Sequence, residues 1–311
     1  MGEHSLAVWL GSTGVVAALL VLDLAVLNRR SHVLSMREAL TWSGCLVGLA
    51  LLFGLFMLWR EGTQSALEFY TGYLIELSLS VDNLFVFILV FQYFGVPAML
   101  QPRVLKWGIL GAIVMRLIMI TVGAVLLSEF HWIVYVFGGI LIVTGIRMFR
   151  SEDERTEPEK NPIVRLARRI LPFSQTYDGQ HFFVRALDGR RMATPLLLVL
   201  LVVEWTDLVF AIDSIPAIFA VTRDPFLVYS SNIFAILGLR ALFFVLAGML
   251  DKFVYLKPGV AVILVFVGLK MTASYWVHIP ILASLAVIIG TLAAAILLSL
   301  WKTRRDARLA T

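Results

Sequence analysis

The chain has 311 residues, of which 60% are hydrophobic and only 15% charged, with a mean hydropathy of +0.89. Soluble globular domains carry far more charge, and disordered chains far fewer apolar residues, so both classes are excluded. The single cysteine, Cys45, excludes a disulfide framework and a cysteine-rich metal site. A net charge of +5 would fit nucleic acid only if the basic residues shared a soluble face, and their distribution argues against that.

A membrane helix needs about 20 mostly apolar residues. Nine stretches qualify: residues 6–27, 39–59, 66–91, 104–127, 132–149, 194–221, 226–250, 260–276 and 279–301. They lack the period-two alternation of outer-membrane barrel strands. The first is read as a retained span rather than a signal peptide, because Glu3 and His4 precede it and Arg29 and Arg30 follow it. Outside the spans, one side receives Arg29, Arg30, Arg37, Arg103, Lys106, Lys252, Lys257, nine Lys or Arg between Arg150 and Arg191, and four in the tail from Lys302 to Arg308. The other side receives only Arg60 and Arg223. The positive-inside rule then places the N-terminus outside and the C-terminus in the cytoplasm. The basic loops set topology, so no nucleic-acid partner is expected.

The long loop divides in two. Residues 151–162 are charged and read as mobile, and 163–170 as a short basic helix on the membrane surface. Residues 181–192 read as a hairpin around an Asp188-Gly189 turn. The loop reads first as a connector, with docking of a membrane protein partner as the alternative for 151–193.

Carboxylates inside a bilayer are costly and mark polar interiors or ion paths. The third span carries Glu76 and Asp82, and the sixth carries Glu204, Asp207 and Asp213. Asp23 and Glu68 lie near span ends, where they can reach the interface. Three intramembrane cations, Arg116, Arg240 and Lys270, are candidate counter-ions but cannot neutralise five anions. Asn83, Ser214, Ser78, Ser80 and Thr206 add oxygens, while all five histidines are terminal, in loops or at span ends. An oxygen-rich, imidazole-free set suits hard cations such as Mg, Ca or Mn.

The two acidic spans align. Glu76-x5-Asp82-Asn83 matches Asp207-x5-Asp213-Ser214, Arg116 in the next span matches Arg240, and Gly145-Ile-Arg147-Met148 matches Gly268-Leu-Lys270-Met271. Each unit holds three spans, an odd number, so the second copy enters the membrane inverted. Many secondary transporters follow that plan, with the site at the midplane between the repeats. Pro216, three residues beyond Asp213, invites a break that would expose carbonyls as further ligands. The predicted fold is an all-α polytopic protein: two N-terminal spans (1–65), a three-helix repeat (66–150), the cytoplasmic loop (151–193), an inverted repeat (194–277), and a last span with a basic tail (278–311).

At these residues the sequence resembles the TerC/Alx family of bacterial inner-membrane proteins. The resemblance rests on Glu76-Leu-Ser-Leu-Ser-Val-Asp-Asn83, on Ala193-Thr-Pro with Glu204-Trp-Thr-Asp-Leu-Val-Phe-Ala-Ile-Asp-Ser-Ile-Pro-Ala217, on Tyr229 to Arg240, and on Phe182-Phe-Val-Arg185. Nine spans with an outside N-terminus resemble the Alx branch. The resemblance implies Mn(II) export, links to alkaline-pH and tellurite stress, and metal loading of exported proteins. It also implies ion handling by Glu76, Asp82, Glu204, Asp207 and Asp213.

The function expected is export of a divalent metal ion, with no permanently bound cofactor and the metal as cargo. The chain has no Walker GxxxxGK[ST] motif, so proton antiport by the carboxylates is the simplest coupling. An enzyme is not expected. An intramembrane aspartyl protease would need a Gly-rich motif around Asp82 or Asp213, and neither has one. The alternative is a membrane scaffold assisting metallation of exported proteins.

Overall fold

The computed structural model describes residues 35–130, 132–150, 162–185, 190–248, 255–273, 276–277 and 279–309, together with residue 14; the side chains at 82, 85, 150, 213, 304 and 306–309 are not part of that description. The expected span at 6–27 and the charged stretch 151–161 therefore lie outside the described residues.

The chain is helical almost throughout. The helices are α1 (Met36–Arg60), α2 (Thr63–Tyr93), α3 (Gln101–Glu129), α4 (Ile133–Arg150), the short α5 (Pro162–Ile170), α6 (Pro195–Phe219), α7 (Pro225–Ala247), α8 (Leu256–Ala273) and α9 (Ile281–Leu309). Seven of them, counting Ile281–Thr303 of α9, are long and apolar enough to cross a membrane; Ile133–Phe149 of α4 is apolar but shorter. Helix is the economical choice for such sequences, because in hydrocarbon each backbone N–H and C=O must find its partner within the segment. Between α5 and α6 stands one antiparallel hairpin, β1 (Phe183–Arg185) with β2 (Arg191–Ala193), pairing Val184 with Met192. Its strands fall where the sequence places them, and its turn lies outside the described residues.

Two boundaries differ from the sequence reading. α8 is helical to Ala273 and residue 276 already lies in a turn, and α6 runs unbroken through Pro216 to Phe219. The proline sits in the last turn, where only one helical hydrogen bond is lost and little helix follows to be bent.

α7 is enclosed along nearly its whole length. α1 instead exposes Leu51, Leu52, Leu55, Phe56 and Trp59, as a lipid-facing rim helix does. Between them α2 packs on α1, α6 and α7, and α3 packs on α6 and α7. The most extensive helix–helix contact joins α4 to α8. A Cβ at Gly138 would lie 3.0 Å from the Gly268 carbonyl oxygen, and one at Gly145 would lie 2.9 Å from that of Ala261. Residue numbers rise along α4 as they fall along α8, so the two helices are antiparallel. Bare backbone at the crossing gives close van der Waals packing, the main attraction between helices in lipid.

Residues 162–185 and 190–194 are folded onto the N-terminal end of α6. Val164 and Ala167 of α5 are buried, and Phe173, Tyr177 and Phe182 pack against the cluster formed by the ends of α2, α3, α6 and α7. The Tyr177 hydroxyl donates to the Phe94 carbonyl at 2.8 Å, and Thr194 Oγ1 donates to the His181 carbonyl at 2.8 Å. The Arg103 guanidinium stacks 5.5 Å from the centre of the Phe182 ring. Burial pushes the Tyr177 phenol above its ordinary pKa, so it stays a protonated donor in alkaline solution.

Candidate functional site

Apolar packing clusters lie toward both ends of the bundle, and a polar layer lies between them. Glu76, Arg116 and Asp207 sit close to the midpoints of α2, α3 and α6, and Asn232 sits in the first half of α7. At 1.5 Å per residue, Asp207 stands about 18 Å from the start of α6, near the depth of a bilayer centre.

These four residues form one connected centre. The Arg116 Nη1 atom pairs with Glu76 Oε1, and its Nη2 reaches Asp207 Oδ1 at 3.4 Å. Nη1 also donates to Asn232 Oδ1 at 3.2 Å, and Asn232 Nδ2 donates to Glu76 Oε2 at 3.2 Å. Ser80, one turn along α2, adds its hydroxyl to Glu76 Oε1 at 3.3 Å. Glu76 and Asn232 are 0% exposed, Arg116 1% and Asp207 2%, so none of these charges is solvated by bulk water. A guanidinium shared between two carboxylates is what makes that burial tolerable, since breaking a buried pair strands a charge.

The centre is not saturated. Among the described residues, Arg116 Nε, Asp207 Oδ2, the Asn83 amide nitrogen and the Ser214 hydroxyl have no hydrogen-bond partner. Buried polar atoms without partners call for a reason, and a small bound species or water is the usual one. Asn83 and Ser214 each follow the aspartate of their own span, at positions that align between the two units.

Small residues let α2 approach α7 and α3 approach α6 closely. A Cβ at Gly72 of α2 would meet Ser231 Oγ of α7 at 2.9 Å, and one at Gly108 of α3 would meet Val203 of α6 at 3.1 Å. Gly111, one turn further along α3, leaves the hollow that the half-buried Glu204 carboxylate fills.

Residues 61–307 match the model of the integral membrane protein TerC family. The chain belongs to this family. An uncharacterized membrane protein of Myxococcus xanthus, STKORF319, is 53% identical over 296 residues, covering 95% of this chain and 92% of that protein. Alx of Escherichia coli (strain K12), whose name calls it a membrane-bound redox modulator, is 49% identical over 306 residues, covering 96% and 95%. A membrane protein of Rickettsia felis is 41% identical over 292 residues, covering 94% and 97%. No solved structure matches the chain.

In this TerC family member the residues singled out from the sequence fall into four groups. Glu76, Asp207 and Arg116 meet directly, and Glu204 stands one turn before Asp207 on α6. Asn83, Ser214 and Arg240 are buried in the same set of helices. Lys270 is elsewhere, near the end of α8, lining a cavity of about 170 Å³ with Thr222 and Arg223. The side chains of Asp82 and Asp213 lie outside the described residues. Among those that are described, no three Asp, Glu, His or Cys side chains come together as a metal site.

Asn232 is the residue that the sequence reading did not place in the site. Its signal is faint: an amide inside an apolar span, two turns before Arg240, in the stretch Tyr229–Arg240 that carries part of the family resemblance. The hollow at Gly111 had no sequence signal at all.

Proposed function

We propose that this TerC family protein is a secondary transporter that exports a hard divalent cation from the bacterial cytoplasm, with Mn(II) the ion implied by the family, in exchange for protons. It is a carrier rather than a catalyst, with nine spans in the inner membrane, its N-terminus outside and its C-terminus in the cytoplasm. Spans three to five and six to eight form the inverted repeat. One observation carries this reading: Glu76 of one unit and Asp207 of the other, which align in sequence, share one buried guanidinium at the middle of the bundle. The antiparallel α4–α8 crossing supports the inversion, because Gly138 against Gly268 and Gly145 against Ala261 are the same contact when the two units are exchanged.

The cargo site is proposed as Glu76, Asp82, Asn83, Glu204, Asp207, Asp213 and Ser214, with Arg116, Arg240 and Lys270 as counter-ions. Carboxylate, amide and hydroxyl oxygens suit a hard ion, and the same carboxylates can exchange protons for it. Moving a divalent ion outward against a potential of 100 mV costs about 4.6 kcal/mol, which proton entry can offset. The redox modulator name of the relative does not translate into dithiol chemistry within one such chain, whose single cysteine is the exposed Cys45.

Purified protein in liposomes tests the proposal. Mn(II) flux is expected to follow an imposed pH gradient, and Asp82→Asn and Asp213→Asn are each expected to abolish it while the protein still inserts. Normal flux in both variants would sink the site. Single cysteines placed in 162–185 of a Cys45→Ala background are expected to resist an impermeant thiol reagent in intact cells; labelling would reverse the orientation. A metallation scaffold without transport would move no metal.

A further inference from the structure

We infer that Arg116 is a resident substitute for the transported cation: its guanidinium holds the place between Glu76 and Asp207 when no ion is bound, and the ion displaces it. The inference rests on the transport reading above and assigns a specific step to one residue of it.

Two fully buried carboxylates, one from α2 and one from α6, cannot be left without a compensating charge. A transporter must nevertheless pass through a state in which its cargo has left. Arg116 comes from a third helix, α3, and supplies a positive charge in that state without requiring α2 or α6 to change. A divalent ion carries twice the charge of the guanidinium, so it attracts the two carboxylates more strongly and can displace it.

The contacts are those of a guanidinium that can let go. The guanidinium divides its nitrogens between two acids, Nη1 to Glu76 and Nη2 to Asp207, and it grips Asp207 through Oδ1 alone rather than by the paired fork that makes arginine–carboxylate bonds strongest. Arg116 Nε and Asp207 Oδ2 have no partner among the described residues, an extravagance for a purely structural bridge at full burial. Asn232 Oδ1 already accepts from Nη1, so leaving the acids does not strip the arginine of every acceptor. Asn232 therefore acts as a positioning residue for the swap.

A carrier with this device can return without the ion, because the arginine and one proton taken up by a carboxylate together neutralise the two buried acids. Without the arginine the ion-free return must carry two protons instead of one, so it slows relative to the ion-loaded crossing, and the protein exchanges ions with little net export. Full-length protein in liposomes separates the two modes, with Mn(II) as the probe. Net efflux is measured into an Mn(II)-free bath, and exchange is measured with radiolabelled Mn(II) at equal concentration on both sides. In Arg116→Gln, net efflux is expected to fall by at least about tenfold with exchange kept near the wild-type rate, and Mn(II) is expected to bind about tenfold more tightly because its competitor is gone. Arg116→Lys keeps the charge and serves if the glutamine variant does not fold. A point-charge ammonium cannot bridge both acids as a guanidinium does, so net efflux is expected to slow several-fold with exchange kept. The inference is overturned if wild-type protein performs both modes but the folded variants lose both equally, keep both equally, or bind Mn(II) no more tightly. Wild-type protein that moves Mn(II) in neither mode instead refutes the transport proposal itself.

Discussion

Glu76 and Asp207 align in sequence and meet the same guanidinium, yet they are held very differently. Glu76 has three partners from three helices: Arg116, Asn232 and its own neighbour Ser80. Asp207 has one, through Oδ1 at 3.4 Å, and its second oxygen has no partner among the described residues. The serine that steadies Glu76 stands four residues after it, and the place four residues after Asp207 is Ala211, which has nothing to donate. One acid is anchored and the other is loosely held, so a competing cation meets less resistance at Asp207. Likeness in sequence sets where the charges are, and their neighbours set how firmly each is bound.

Substitutions can break this comparison, beginning with the acids. Glu76→Ala strands the Asn232 amide and removes one of the arginine's three partners, and is expected to cost about 3–5 kcal/mol in unfolding of the purified protein in detergent. Asp207→Ala leaves the stronger pair intact and is expected to cost less than half as much; equal losses would show that the two acids are held alike. The next largest effect concerns the crossing that fixes the two units against each other. Gly268→Val places a Cβ 2.8 Å from the Gly138 carbonyl oxygen and is expected to cost about 1–3 kcal/mol, whereas Gly44→Val on α1 meets nothing within 4 Å and is expected to be nearly silent. Asn232→Ala removes one bond to each side of the ion pair, with an expected loss of about 1–2 kcal/mol by the same measurement and a smaller difference between Glu76 and Asp207 variants made on top of it. The smallest effect is expected in the docked loop. Tyr177→Phe loses the bond to the Phe94 carbonyl, worth about 0.5–1.5 kcal/mol. Because the folded-state pKa is raised above 10.0, that contribution is present below pH 10 and fades as the pH rises through the raised value. A Tyr177→Phe difference that vanished already at neutral pH would deny the bond.

Much of this was legible in the sequence because the bilayer constrains sequence so strongly. Runs of apolar residues locate helices directly, since in hydrocarbon no other segment satisfies its own backbone. A carboxylate or arginine within such a run stands out because it is costly there, which is how Glu76, Arg116 and Asp207 were found. The hairpin followed from its strand residues and turn. The path of α6 through Pro216 did not follow, because a proline's effect depends on how much helix remains beyond it.

What the sequence by itself determined, then, is which residues are membrane-embedded, which of them carry charge, and that helices α2 to α4 and α6 to α8 share a pattern. Those are properties of each segment alone, set by transfer of side chains between water and lipid. Only the tertiary structure decided that one guanidinium serves two acids, that Asn232 completes the centre, that Lys270 lies apart from it beside Thr222 and Arg223, and that Gly111 makes room for Glu204. Each of these depends on distances between helices far apart in the chain. Those distances are fixed by where small residues let two backbones approach, and no single segment contains that information.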